Sequence, residues 1–342
     1  MKKERVLGIG KLNYDLLEEL LRGYKGVEDE RVVVGPGIGE DAAVIDFGDK
    51  YLVTKTDPIV CVQEQIGYYA PIINANDIAT TGAVPKWFMA TVLLPRNAKE
   101  QLAREIFRQI DACCKTLGVA LISGHTEISF DLDRPIVVGS MFGEVEKEKL
   151  VRKSARTGDS IVLVKGIAIE GTSIIAREKA KEVLARYGKE FFERCKNFIY
   201  APGISVVREA LIARDFATSM HDPTEGGLFT GLYEITKASD KGILVYKDKI
   251  PVYPETARLC KDYDLNPYSI FVSGALIVTT DRERAAELIR RYDDEGIKAI
   301  EIGEIRDKEK GLKIFDAEGH ECDLVYSEKD ELIKKILGVF RQ

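Results

Sequence analysis

The spacing of apolar residues along the chain switches repeatedly between a helical and a strand period. Between Asn13 and Tyr24, Leu16, Leu17, Leu20 and Leu21 share one face opposite Asp15, Glu18 and Glu19, which predicts a helix ending near Gly23. Strand runs follow at Arg31 to Val34, Ala42 to Phe47 and Tyr51 to Thr54, with the glycine-rich stretch Gly35 to Asp41 between the first two. Gln65 to Thr81 reads as a helix rich in alanine and isoleucine, Phe88 to Leu94 as a strand, and Lys99 to Leu117 as an amphipathic helix stopped by Gly118. Val119 to Ser123 and Pro135 to Phe142 are two more strands.

The run Glu144 to Lys153 is mostly charged and marks a solvated seam. Beyond it lie a strand at Ser160 to Lys165 and helices at Gly171 to Arg186, Ile204 to Asp215 and Gly226 to Ala238. Strands at Gly242 to Tyr246 and Ala275 to Thr279 flank a helix at Pro254 to Tyr263. A helix at Asp281 to Glu295, a strand at Ala299 to Ile305 and a hairpin-like tail close the chain. Strands and helices mix without a regular βαβ repeat, so the expected class is α+β rather than a doubly wound parallel sheet. At 342 residues the chain favours two domains, 1–150 and 151–342, over one large α/β domain.

Composition narrows the partners. Fifty basic against 56 acidic residues give a formal net charge of −6, with no general pull toward nucleic acid or a membrane surface. No segment has the length of a signal peptide's apolar core or of a bilayer span, so a cytoplasmic chain is expected. The six cysteines form no C-x-x-C pair and only three histidines accompany them, which speaks against a zinc site or a disulfide framework.

Five places carry candidate chemistry. Gly35-Pro36-Gly37-Ile38-Gly39-Glu40-Asp41 offers close backbone approach followed by a carboxylate suited to a hard cation, although a plain glycine turn gives the same pattern. It is neither a Walker loop nor a dinucleotide fingerprint. Asp57 stands at a strand end, where a turn residue or cap is the plainer reading. Asn76 and Asp77 lie inside an apolar helix, and such residues need either a metal or polar ligand or an internal hydrogen-bond network. Gly124-His125-Thr126-Glu127 sits just beyond a strand, where His125 can ligate a metal, transfer protons, stack on a base or simply be structural. In His221-Asp222-Pro223-Thr224-Glu225-Gly226-Gly227, a turn entering a helix offers N–H groups to an anion, unless Asp222 or Thr224 caps them.

Taken in order, Gly39-Glu40-Asp41-Ala42-Ala43, Asn76-Asp77-Ile78-Ala79 with Gly82-Ala83 and Pro85, Thr157-Gly158-Asp159 with Gly166 and Gly171, and Asp222-Pro223-Thr224-Glu225-Gly226-Gly227-Leu228 resemble the aminoimidazole ribonucleotide synthetase (PurM) superfamily. The resemblance covers nearly the whole chain and is nearest to the hydrogenase-maturation (HypE-like) branch. It implies a two-domain α+β, PurM-like architecture: an N-terminal α/β domain that binds ATP and Mg²⁺ and dimerises through its sheet, and a C-terminal α+β domain. It implies a homodimer that binds ATP with Mg²⁺ in a cleft shared between subunits, and phosphoryl transfer or dehydration acting on a small-molecule or amide-type acceptor. Aminoimidazole ribonucleotide synthetase and thiamine-monophosphate kinase are the alternative activities, and a nucleotide-binding scaffold without turnover is the non-enzymatic one.

By motif position the resemblance makes Asp41, Asp57 and Asp77 magnesium ligands, and Gly37, Gly39, Asp41, Asn76, Asp77, Thr126, Gly226 and Gly227 the ATP-contacting set. Lys11, after Gly8-Ile9-Gly10, matches a glycine-rich N-terminal segment that closes over phosphates, and is assigned with His125 to catalysis. Three features depart from the pattern. His125 occupies the place of an acidic metal ligand, with Glu127 the substitute. Glu225 stands where the hydrogenase-maturation branch has arginine. The chain ends Phe340-Arg341-Gln342 with no cysteine in its last twenty residues, whereas that branch ends in a cysteine that receives the carbamoyl group.

Overall fold

The computed structural model describes residues 7, 10–24, 26–316, 318–327 and 329–338. The Gly8-Ile9 part of the glycine motif and the residues after Gly338 lie outside that set. After helix α1 (Tyr14–Gly23), the first half builds β1 (Val32–Val34), β2 (Ala43–Asp46), β3 (Lys50–Ile59), α2 (Ile66–Thr80), β4 (Val84–Leu94), α3 (Glu100–Leu117), β5 (Ala120–Ile128) and β6 (Ile136–Glu146). Its six strands form one sheet in the order β1-β2-β3-β6-β4-β5. Only the β4–β5 pair is parallel, because α3 carries the chain back across the sheet between them.

The second half contains β7 (Ser160–Val164), α4 (Ile169–Glu178), α5 (Ala180–Lys196), α6 (Val207–Ala213), β8 (Ala217–His221), α7 (Gly227–Ser239), β9 (Gly242–Tyr246) and α8 (Pro254–Asp262). It continues with β10 (Leu276–Thr280), α9 (Arg282–Asp294), β11 (Ala299–Arg306), β12 (Leu312–Phe315) and β13 (Glu321–Asp323). The seven strands run in the order β13-β12-β9-β11-β7-β10-β8. Two separate sheets of largely antiparallel strands, with helices packed against them, give the expected two-domain α+β architecture.

Helix α2 joins the halves. All its residues except Tyr68 are buried, which is what a helix apolar on every side requires. One apolar cluster runs from β3 and α2 through Ile169, Ile174 and Ile175 of α4 to Leu332 and Ile336 near the end of the chain. The halves therefore share a core.

Several local expectations change. The helix expected at Gly171 to Arg186 is two helices, and α5 itself breaks at Gly188 (φ 79°). Strand β8 had no apolar alternation to reveal it, since Ala-Thr-Ser-Met-His is short and mostly polar, yet it pairs with β10 from Ala217 to His221. The seam is not wholly solvated: Lys153 keeps only 6% of its side chain exposed. Asp57 and the His125 segment lie within strands β3 and β5 rather than beyond their ends.

Candidate active site

Strand periodicity puts Lys55 and Asp57 on the same face of β3. Opposite them α2 presents Asp77 and, one turn on, Thr80; the glycine-rich loop brings Asp41 alongside, and β8 ends at His221 and Asp222. Apart from Thr80, which lies behind Asp41, these residues line a cleft of about 350 Å³ between the halves, together with Lys11, Tyr14, Gly37, Gly39 and Glu234. Asp41, Asp77 and Asp222 are all less than a tenth exposed. So many buried acids in one place are tolerable only with cations among them.

The chain supplies some. Lys153 Nζ lies 2.5 Å from Asp41 Oδ2 and also donates to the Met220 carbonyl. Lys55 Nζ lies 3.3 Å from Asp77 Oδ2 and 3.8 Å from Asp57 Oδ2. His221 bridges two acids, with Nδ1 2.8 Å from Asp41 and Nε2 2.8 Å from Glu234. Glu234 also accepts from the Tyr14 hydroxyl at 2.8 Å and from Lys11 Nζ at 3.2 Å. Burial disfavours a charged His221, but Asp41 and the hydrogen bonds outweigh it and raise the imidazole to about 9. Burial likewise pushes Asp41 up, and His221 with Lys153 brings it well below the usual carboxylate range.

Among the described residues Asp222 has no such cation on it, and Asp77 has only the ion pair with Lys55. Both Asp222 oxygens and Asp77 Oδ2 are buried without a hydrogen-bond partner among the described residues. Burial, and after it the charge of Asp41, lifts Asp222 to about 7. Burial also lifts Asp77 well above its usual range, against the pull of Lys55. Orphaned carboxylate oxygens facing one cleft are the donor set of a hard divalent cation. Asp41, His221 and Asp222 also have the spacing of a metal group, with ligand atoms within 4.8 Å. His221 does not suit that role, because both ring nitrogens already serve carboxylates.

The expected residues therefore divide. Asp41, Asp57, Asp77, Lys11, Gly37 and Gly39 meet in the cleft. Gly39 (φ 82°) admits no side chain, since a Cβ would stand 2.6 Å from the Glu234 carbonyl oxygen. Asn76 is spent inside the fold: its amide donates to the Ile204 carbonyl at 2.9 Å and accepts the Val206 N–H at 2.8 Å, the internal-network alternative. The Thr-x-Gly-Gly turn is also occupied, because Gly226 N–H donates to Asp330 Oδ2 at 2.9 Å and Gly227 N–H to the Thr224 carbonyl. Neither N–H is free for an anion.

His125, Thr126 and Glu127 are not brought to the carboxylates within one chain. Pro58, Val138, Thr91 and His125 form one row across β3, β6, β4 and β5, so three strand spacings, about 14 Å, separate His125 from the neighbour of Asp57. His125 Nε2 lies 3.4 Å from Glu127 Oε2 on the exposed edge strand, and His125 and Thr126 line a separate hollow with Phe107 and Ile110. Sequence reasoning left Lys55, Lys153 and Glu234 out altogether and named His221 and Asp222 only within a candidate anion-binding turn. Lys55 was discoverable from its i, i+2 spacing to Asp57, and Asp222 from its place directly before a Pro-Thr turn.

Family models for the AIR synthase related protein N-terminal domain and C-terminal domain match residues 39–145 and 156–314. The chain belongs to the AIR synthase related family. Within it, the chain is 29% identical over 326 residues to a protein of Methanocaldococcus jannaschii named for hydrogenase expression/formation, covering 92% of this chain and 94% of that one. The HypE structure of a HypE–HypF complex superposes with a TM-score of 0.74 at 22% identity, over 91% of this chain and 99% of that one. A thiamine-monophosphate kinase structure from Aquifex aeolicus, complexed with AMPPCP and TMP, gives 0.70 at 20% identity, over 91% and 94%. AIR synthase related relatives of this chain also include proteins named carbamoyl dehydratase HypE and selenide, water dikinase.

Proposed function

We propose that this protein is an ATP- and Mg²⁺-dependent enzyme that transfers or releases a phosphoryl group during work on a small acceptor, acting as a homodimer. The observation that carries this reading is the pair of buried, unpartnered oxygens on Asp222, beside Asp57 and an Asp77 held only by its ion pair with Lys55, in a cleft floored by a glycine loop. These three carboxylates are the residues that would hold magnesium. A cation held by them would supply the positive charge that an entering phosphate needs. Asp41, already saturated by His221, Lys153 and Thr80, acts as the electrostatic anchor behind them. Lys11 sits at the mouth with its ammonium on Glu234, close enough to the cleft to neutralise charge on an entering phosphate. A kinase relative complexed with an ATP analogue on this fold supports the nucleotide assignment.

Calorimetry with Mg²⁺ and a non-hydrolysable ATP analogue tests the reading. Saturable binding is expected, weakened about tenfold or more in Asp222→Asn, since a lost charged contact is worth at least 1.4 kcal/mol. Absence of nucleotide binding by the native chain, or unchanged binding by Asp222→Asn, overturns it.

A further inference from the structure

A second cavity of about 340 Å³ opens beside the carboxylate cleft and shares Lys11, Asp57 and Thr224 with it. A molecule lodged there lies next to whatever group the carboxylates hold. The walls are largely aliphatic, from Ile59, Val62, Ile73 and Ile333, and the polar groups are few. Tyr69, on α2, is 1% exposed, and its hydroxyl has no hydrogen-bond partner among the described residues. Glu170, in the first turn of α4, is buried and accepts the hydroxyl of Ser273 through Oε2. Asp57 and Glu225 face the same space. The lysine that lines it, Lys11, has its ammonium on Glu234 and its backbone N–H on Glu225.

This lining is rich in acceptors and negative charge and poor in free donors. Burial lifts the Glu170 carboxyl to about 7, and raises Glu225 as well against the pull of Lys11. A phosphate or carboxylate entering here would meet Glu170 and Glu225, apart from the Asp57 carboxylate committed to the cleft. A ligand that brings N–H donors and positive charge would satisfy the Tyr69 hydroxyl and the carboxyls together.

We propose that this cavity is the acceptor subsite, and that it selects a small donor-rich cation, a primary amine or amidine, over acceptors carrying a phosphate or a carboxylate. The proposal rests on the phosphoryl-transfer reading above for the word acceptor, whereas the cation selectivity stands on the cavity alone.

The full chain with Mg²⁺ and a non-hydrolysable ATP analogue is titrated by saturation-transfer NMR with acetamidinium, ethylammonium, acetamide, acetate and glycerol 3-phosphate. The two cations are expected to bind about tenfold or more tightly than the two anions and the neutral amide, as a charged hydrogen bond gained in a buried site gives. Tyr69→Phe and Glu170→Gln should weaken the cations by about fivefold to tenfold and leave the nucleotide analogue's affinity unchanged. Tyr69→Phe removes only the orphan hydroxyl, so it carries the test if Glu170→Gln fails to fold. Tighter binding of glycerol 3-phosphate or acetate, acetamide equal to acetamidinium, or cation binding unmoved in Tyr69→Phe overturns the proposal. If the native chain binds no nucleotide, the phosphoryl-transfer reading fails, and the same cation series with Mg²⁺ alone still decides the selectivity.

Discussion

Asp41 shows how one residue's role depends on its neighbours. Position after a glycine loop marks it as a cation ligand, but its oxygens are already taken: Oδ1 by His221, Oδ2 by Thr80 at 2.8 Å and by Lys153. Lys153 and Asp41 are both nearly buried, 6% and 5% exposed. Removing one partner of a buried pair leaves a charge that cannot be hydrated, so Lys153→Met should cost about 3 kcal/mol in urea denaturation. Asp41→Asn in the same background should recover part of that loss, because the strandless charge disappears with it. A double-mutant cycle showing independent, additive effects contradicts the pairing. What made Lys153 hard to find is that it belongs to a run of charges, and a run reads as solvent-facing whether or not one member turns inward. Asp77 was legible for the opposite reason: it is an acid inside an apolar helix, where solvation is not available, whereas Asp57 reads from its own surroundings as a turn residue and enters the site only through the family resemblance.

At the level of elements, long apolar periods were readable and partnerships were not. Helices α1, α3 and α9 and strand β9 follow from spacing and stop signals alone. Strand β8, with little apolar surface of its own, owes its existence to β10 beside it. The Thr-x-Gly-Gly turn was recognised as a turn, and its positive φ values, 90° at Gly226 and 77° at Gly227, explain both glycines. Its occupant, Asp330, arrives from 104 residues further along, which no local pattern encodes. Burial lifts the Asp330 carboxyl from its usual 3.8 to about 8, with Glu225 and Glu170 adding to the rise and the N–H groups of Gly226 and Leu332 opposing it. The folded chain therefore holds a proton that the unfolded chain has released across that window, so this contribution to stability falls as pH rises from 3.8 to about 8 and is gone above it. Asp330→Asn has no proton to lose. Thermal unfolding scans should show the variant gaining on the native chain as pH rises toward about 8, and levelling off beyond; a difference independent of pH contradicts the burial of this carboxyl.

For the whole molecule, a shared core fixes the two halves around the cleft, while one edge of the first sheet is left open. All nine residues of β5 are exposed, including Leu121, Ile122 and Ile128; Phe130 stands exposed two residues beyond its end, and Phe107 of α3 stands exposed and lines a hollow with Leu121 and Ile122. A long apolar edge strand invites pairing with another chain, and folded proteins rarely leave one uncovered. The proposed homodimer covers it, and gives His125, Thr126 and Glu127 on the same strand something to face, which the single chain does not. Ile122→Lys places an ammonium in that surface without touching the core. Sedimentation velocity at about 10 μM should then show the native chain as a dimer, since apolar interfaces of usual size bind well below that concentration, and the variant as a monomer with unchanged far-UV circular dichroism. If the β5 edge also completes the nucleotide site, the monomeric variant loses analogue affinity together with its partner, and His125→Ala loses affinity while remaining dimeric. A native chain that sediments as a monomer, or an Ile122→Lys variant that stays dimeric, removes β5 as the pairing edge and leaves the cleft of Asp57, Asp77 and Asp222 to act within one chain.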